Sequence, residues 1–307
     1  MLCIAGTDAS GATLAARDDG APQVPLWAGL QDASAGRITE RSLDPRVPDR
    51  IIEDVRLPYL AVYAPPRPSG VALLVTPGGG YARIVLDKEG TALLPAFVEA
   101  AGITLFVLRY RLPDASHAEG ADAPLVDAQR AMRTIRAHAA DYGVDPARVG
   151  VMGFSAGGHV AARLATASDA AYTSRDAIDA HAWRPDFALL IYPVISLEPG
   201  LAHAGSRARL LAAAGDAGSA TREGLSPALH VSAGTPPLFL LHAQDDEVVP
   251  VGNTLAIHAA ALAAGVPASL HIFPTGGHGF GVRDAHGPLA RWPRLAIDWI
   301  DALDTSP

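Results

Sequence analysis

A serine side chain attacks a carbonyl only when a base takes its proton and fixed donors receive the charge that develops on the oxygen. The segment Gly153-Phe154-Ser155-Ala156-Gly157 has the G-x-S-x-G spacing that can supply this environment. It follows the apolar run Val149 to Met152 and precedes a helix-compatible stretch from His159 to Ala167. So sharp a strand-to-helix turn requires small residues on either side of the serine, and Gly153, Gly157 and Gly158 meet that need. The turn would lift Oγ above a sheet and aim a helix N-terminus, with its partial positive charge, at the reacting oxygen. A five-residue match is weak alone; the strand, turn and helix around it make Ser155 the expected nucleophile.

The donors are expected in Pro77-Gly78-Gly79-Gly80-Tyr81, which follows the apolar run Val71 to Val75. It occupies the place of an HGGG-type loop, with Pro in the position of His. Glycines let the backbone pass close to a ligand, so one donor is expected from Gly79 or Gly80 and the other from Ala156, the residue after the nucleophile. Losing one such donor typically removes about 3 kcal/mol of transition-state stabilisation. The expected base is His278, in Gly276-Gly277-His278-Gly279-Phe280-Gly281 beyond the apolar run Ser269 to Phe273. That glycine pattern does not fit G-x-G-x-x-G, so a dinucleotide site is not expected there. His159, four residues past Ser155, reads as structural or pocket-lining, and His242 and His271 read as core or supporting groups. For the acid, the order Ser…Asp…His points to Gln244-Asp245-Asp246-Glu247, directly after Leu238 to His242. Position leaves Asp245 and Asp246 open; Glu247 is expected in solvent.

These residues need a frame in which strand ends meet. Ile103 to Leu108 is a continuous apolar run, the pattern of a strand covered on both faces. Together with Val71 to Val75, Val149 to Met152, Phe187 to Tyr192, Leu238 to His242 and Ser269 to Phe273, it alternates with helical patterns. Those patterns are Glu89 to Ala101, stopped by Gly102; Pro124 to Tyr142, capped by Gly143; Thr254 to Ala264; and Leu289 to Leu303. In the second of them Asp127, Arg130, Arg133 and Arg136 lie off the apolar face. Alternation of this kind implies a mostly parallel sheet with helices on both faces and a site at the carboxyl ends of the strands. Ile51 to Val55 and Tyr59 to Tyr63 are expected as an antiparallel edge pair. Residues 13 to 50 read as an irregular N-terminal extension, so the expected division is 1–50 and a catalytic domain over 51–307. Ser196 to Thr235 is short for an inserted cap and predicts a small lid.

Composition narrows the function classes. Of 307 residues 49% are hydrophobic, which excludes a disordered chain. The net charge of −8 argues against nucleic acid, whose phosphates call for a basic face. No run approaches the 18 apolar residues of a membrane span. There is no H-E-x-x-H and no phosphate-binding loop, and Cys3, the single cysteine, has no partner for an intrachain disulfide. No metal or cofactor is therefore expected. Met1 to Ala12, apolar and then small, fits either the tail of a secretory signal, giving a periplasmic or secreted protein, or a leader on a cytoplasmic one.

The runs Pro77 to Tyr81, Lys88-Glu89-Gly90, Leu108-Arg109-Tyr110-Arg111-Leu112-Pro113, Asp127-Ala128-Gln129-Arg130-Ala131, Gly153 to His159, Tyr192-Pro193-Val194-Ile195 and Gly276 to Gly281 occur in this order. Over residues 24 to 303 the chain resembles the bacterial acetylxylan esterase-like branch of the α/β-hydrolases, related to hormone-sensitive-lipase-like esterases. The resemblance implies an α/β-hydrolase fold with a small or absent cap and a serine esterase acting through an acyl-enzyme. Its D-x-x-V-P pattern, met by Val249-Pro250, selects Asp246 over Asp245 as the acid. The implied substrate is an acetylated xylan or related carbohydrate; a generic short-chain carboxylesterase, a feruloyl esterase and, more distantly, a non-catalytic binding protein are the alternatives. Tyr81, Tyr192, Val249 and Phe280 are candidates to wall an acyl pocket, with core packing as the competing role. Arg109 and Arg111 are expected to pair with carboxylates such as Asp87, Glu89 or Asp114.

Overall fold

The computed structural model describes residues 20–30, 34–44 and 46–303; the expectations for Met1 to Ala12 and Cys3 lie outside them. Among the described residues eleven strands are formed: β1 (Gln23–Pro25), β2 (Arg37–Glu40), β3 (Arg50–Glu53), β4 (Tyr59–Tyr63), β5 (Ala72–Thr76), β6 (Ile84–Val85), β7 (Thr104–Arg109), β8 (Val149–Phe154), β9 (Ala188–Ile191), β10 (Leu238–Ala243) and β11 (Ala268–Phe273). Six α-helices join them: α1 (Ala123–Ala137), α2 (Ser155–Thr166), α3 (Ala204–Ala214), α4 (Ser219–Gly224), α5 (Gly252–Ala263) and α6 (Trp292–Leu303). The main sheet runs β1-β4-β7-β5-β8-β9-β10-β11, parallel from β7 onward, with β4 antiparallel to both of its neighbours.

This order fixes where a site can open. From β5 the chain moves outward to β7 and then returns to the other side of β5 as β8. The segments leaving β5 and β8 therefore diverge, and the crevice between them is the topological switch point of an open parallel sheet. Pro77 to Tyr81 leaves β5 there and Ser155 leaves β8.

Alternation along the central strands builds two cores. Ala72, Leu74, Phe106, Leu108 and Val151 pack beneath α1, α2 and α5. Leu73, Val75, Leu105, Val107, Met152 and Phe154 pack against Phe97 and the Trp292, Ala296 and Ile300 stripe of α6. Burial on both faces explains why these strands read as unbroken apolar runs. Among the described residues no helix is long and apolar enough to cross a membrane.

Three local expectations change, and the charges of α1 take a place the sequence left open. Glu89 to Ala101 is not one helix: a 3₁₀ turn at Thr91–Leu93 runs into a π-helical turn at Pro95–Ala100, because Pro95 lacks an N–H and its ring opposes a preceding helical turn. Ile51 to Val55 and Tyr59 to Tyr63 do not pair with each other. β3 joins β2 and β6 in a separate small sheet, while β4 joins the main one. The segment placed in an irregular extension contains β1, a strand of the main sheet, followed by the buried Leu26 and Trp27. The charged residues of α1 that lie off its apolar face, Asp127, Arg130, Arg133 and Arg136, are themselves buried. Trp27 Nε1 donates to Asp127 (2.9 Å), Arg130 stacks over the Trp27 ring (5.0 Å), and Arg130 also reaches Asp176 and Asp179. This network ties β1 to α1.

Candidate active site

The nucleophile elbow forms because three pieces of backbone meet where no side chain fits. A Cβ on Gly157 would overlap the carbonyl oxygens of Thr76 and Pro77, and one on Gly153 would overlap Gly157. Thr76 Oγ1 donates to the Gly157 carbonyl (2.8 Å) and locks the end of β5 to the first turn of α2. Ser155 is thereby held at φ 53°. Four described non-glycine residues have positive φ, and Tyr81, Ser155 and Tyr192 are three of them. Backbone strain is thus concentrated at the crevice, as strained residues tend to be at functional sites.

The three expected side chains converge. Ser155 Oγ lies 2.9 Å from His278 Nε2, and His278 Nδ1 lies 2.7 Å from Asp246 Oδ2. Asp246 is buried, and its other oxygen accepts from the Val248 and Val249 amides at 2.9 and 2.8 Å. Burial opposes ionisation of Asp246, but hydrogen bonds from His242 and His278 outweigh it and hold the carboxyl well below its ordinary range. His242 Nε2 faces both Asp246 Oδ2 (3.1 Å) and the Val249 carbonyl (2.9 Å), so that nitrogen donates, and Thr254 contacts the other ring nitrogen (2.7 Å). Asp245 stands apart from the relay and accepts from the Gly277 amide at 2.8 Å. Glu247 is exposed.

The loop after β5 faces the serine. The amides of Gly79 and Gly80 make no hydrogen bond among the described residues, and Ala156 sits in the first turn of α2, whose N–H groups lack intrahelical partners. Gly79, at φ 132°, has no room for a side chain because a Cβ there would overlap the Arg83 carbonyl. Sequence reasoning missed what holds this loop. Glu89, buried, accepts from the Gly78 amide (2.6 Å) and from Tyr192 Oη (3.0 Å), and Tyr110 Oη donates to the Pro77 carbonyl (2.7 Å). Burial raises the Glu89 pKa, and the two hydrogen bonds only partly offset it. The run Lys88-Glu89-Gly90 was the available signal, but it carries no sign of direction.

Above Ser155 lies a cavity of about 470 Å³ whose wall includes Arg83, Val85, His203, Arg209 and Val248. The four residues considered for an acyl pocket are absent from that wall. Tyr81, Tyr192, Val249 and Phe280 are buried in the core. Tyr192 instead packs edge-on against His278 (5.1 Å) and Phe280 (4.6 Å), backing the base from behind. Val249 is buried in the core while its neighbour Val248 lines the cavity, although the amides of both bond the same Asp246 oxygen.

The remaining polar candidates are structural. His159 Nε2 donates to the Leu225 carbonyl (2.7 Å), so its Nδ1 accepts from Tyr81 Oη (2.7 Å). Burial drives its pKa down to about 3, which keeps the ring neutral. Arg111 pairs with Asp127 and Glu119, and Asp87 pairs with Arg50, rather than in the combinations expected from sequence. Arg109 is fully buried within β7. The linking segment after β9 supplies α3 and α4, and His203 and Arg209 from it close one side of the cavity. Among the described residues no group of three His, Cys, Asp or Glu is placed to hold a metal ion.

A mostly parallel sheet covered on both faces, an elbow at its switch point and a Ser–His–Asp constellation define the α/β-hydrolase class. Within it, the chain belongs to the BD-FAE family, whose model matches residues 60–260. It is similar to an acetylxylan esterase of Xylanibacter ruminicola, 34% identical over 72% of this chain and 43% of that protein. It is also similar to endo-1,4-beta-xylanase B of Butyrivibrio fibrisolvens, 35% identical over 68% of this chain and 32% of that protein. The chain thus spans less than half the length of either relative. Among solved structures it is similar to an acetyl ester-xyloside bifunctional hydrolase from Caldicellulosiruptor lactoaceticus: TM-score 0.75, 34% identity, covering 92% of this chain and 96% of that one.

Proposed function

We propose that the chain is a serine carboxylic-ester hydrolase that removes acetyl groups from xylan or a related plant carbohydrate. The observation that carries the reading is the unbroken relay from Ser155 Oγ through His278 to Asp246 at the base of an open cavity. His278 Nε2 takes the Ser155 proton as Oγ adds to the ester carbonyl, and the amides of Ala156 and of Gly79 or Gly80 receive the oxyanion. The tetrahedral adduct collapses, the carbon–oxygen bond to the sugar breaks, and His278 protonates the leaving hydroxyl. Water then adds to the acetyl-serine with His278 again as base, releasing acetate and regenerating the serine. Asp246 holds the imidazole in the tautomer that presents Nε2 to Ser155.

The names of the similar proteins support acetylated xylose polymers as the substrate, and a cavity open to solvent suits an acetyl group on a bulky alcohol. The test is acetate release from acetylated xylan and cleavage of p-nitrophenyl acetate and butyrate, by wild type and by Ser155→Ala. Release from xylan by wild type alone is the expected result. Cleavage of only the synthetic esters would retain the chemistry and overturn the substrate. Equal activity of the variant on every ester would overturn the whole reading.

A further inference from the structure

The wall of the cavity carries a charge opposite to that of the chain. The net charge is −8, yet Arg41, Arg83, Lys88 and Arg209 all line the space above Ser155, and Glu89 is the one carboxylate among the lining residues. Glu89 is committed elsewhere, its oxygens facing the Gly78 amide and Tyr192. Two of the cations are already matched, Arg41 by Asp49 (2.7 Å) and Lys88 by Asp284 (2.5 Å). Arg83 and Arg209 form no ion pair among the described residues. Arg83 Nε is buried without a hydrogen-bond partner, and Arg209 makes one long bond, 3.3 Å, to the Gly205 carbonyl.

The Arg83 Nε is closed off from a ligand, but its terminal nitrogens make no bond among the described residues and are left open where the residue lines the cavity; the planar fork of arginine matches a carboxylate with two parallel bonds. Arg83 comes from the loop after β5 and Arg209 from α3, so the two approach the cavity from different segments of chain. We propose that they hold a carboxylate carried by the substrate. This rests on the hydrolase reading above. An acetyl group is uncharged, so the carboxylate belongs to the carbohydrate side of the ester: the substrate class is an acetylated oligosaccharide bearing a uronic acid. The net negative charge of the chain disfavours such a substrate at long range, and the arginine pair supplies the local attraction that reverses it.

The experiment compares kcat/KM for acetylated xylooligosaccharides with and without a glucuronic acid branch. Wild type prefers the acidic oligomer by about 10-fold or more, the scale of one charge-assisted hydrogen bond. The preference collapses toward unity in the R83Q/R209Q double variant and shrinks as salt is raised. A measurement that needs no variant is inhibition of p-nitrophenyl acetate cleavage, in which glucuronate competes more strongly than glucose. A wild-type preference at or below unity, equal inhibition by the two sugars, or a preference retained in a folded double variant overturns the proposal. Ser155-dependent cleavage of the neutral oligomer separates that failure from a failure of the hydrolase reading itself.

Discussion

Two adjacent aspartates compete for one role, and their surroundings separate them. Asp246 is buried, reaches His278 at 2.7 Å and accepts two backbone amides, whereas Asp245 is exposed and accepts from the Gly277 amide. Asp246→Asn leaves the shape intact but sets an amide against the imidazole, so kcat falls by roughly 10³ to 10⁴, as losing the correct tautomer does elsewhere. Asp245→Asn changes kcat by less than about 3-fold, since only a surface hydrogen bond is altered. Esterase assays on the two purified variants decide it, and the opposite ranking would move the acid to Asp245. Ser155 and His278 were legible because their signals are local: glycines flank each and a strand precedes each. The choice of Asp246 needed a family pattern, because Asp245 has the same side chain one residue away. The cavity wall was not legible at all. Which of Val248 and Val249 faces inward is set by how the loop after β10 packs on the core, and that is a tertiary fact.

At the scale of elements, the strand-to-helix junction tolerates almost nothing. Gly157→Ala places a methyl against the carbonyl oxygens of Thr76 and Pro77, which belong to backbone and cannot yield cheaply. The expected cost is about 3 kcal/mol or more, beyond ordinary overpacking, seen as a lowered urea midpoint together with lost activity. Thr76→Val removes the hydroxyl that bonds the Gly157 carbonyl and leaves that oxygen buried, at a cost of about 1–3 kcal/mol. Its urea midpoint falls between those of wild type and Gly157→Ala; a fall larger than that of the glycine variant would place the junction's rigidity in β5 instead. The central strands were readable because continuous apolar runs have one interpretation when helices flank them. β2 was not foreseen and β3 was given the wrong partner, since short strands with charged residues pair according to what lies beside them. The helix expected at Glu89 to Ala101 failed at Pro95, whose consequence for a helix is local and was available in the sequence.

At the scale of the whole molecule, His159 joins three regions that the chain brings together from afar. It lies on α2 behind the nucleophile, bonds Tyr81 in the donor loop and bonds the Leu225 carbonyl in the segment that forms the lid. Burial, with the Arg163 charge adding to it, lowers its pKa from 6.5 to about 3, and the bond to Leu225 opposes the shift only in part. The sign of the pH effect follows. Above pH 6.5 the ring is neutral in folded and unfolded chain alike, and it contributes no pH dependence. Below that value the unfolded chain takes a proton that the folded chain refuses, so stability drops as pH falls, by up to about 1.4 kcal/mol per pH unit. The decline continues until the folded-state pKa is reached. His159→Gln removes the titrating group while retaining a polar side chain. The variant is less stable at pH 7.5, but its urea midpoint declines less steeply between pH 6.5 and 4 than that of wild type. Carboxylates elsewhere titrate in both proteins and cancel in the comparison. Parallel declines would mean that the ring accepts a proton in the folded protein, and with it that the link between lid, donor loop and nucleophile helix opens in acid.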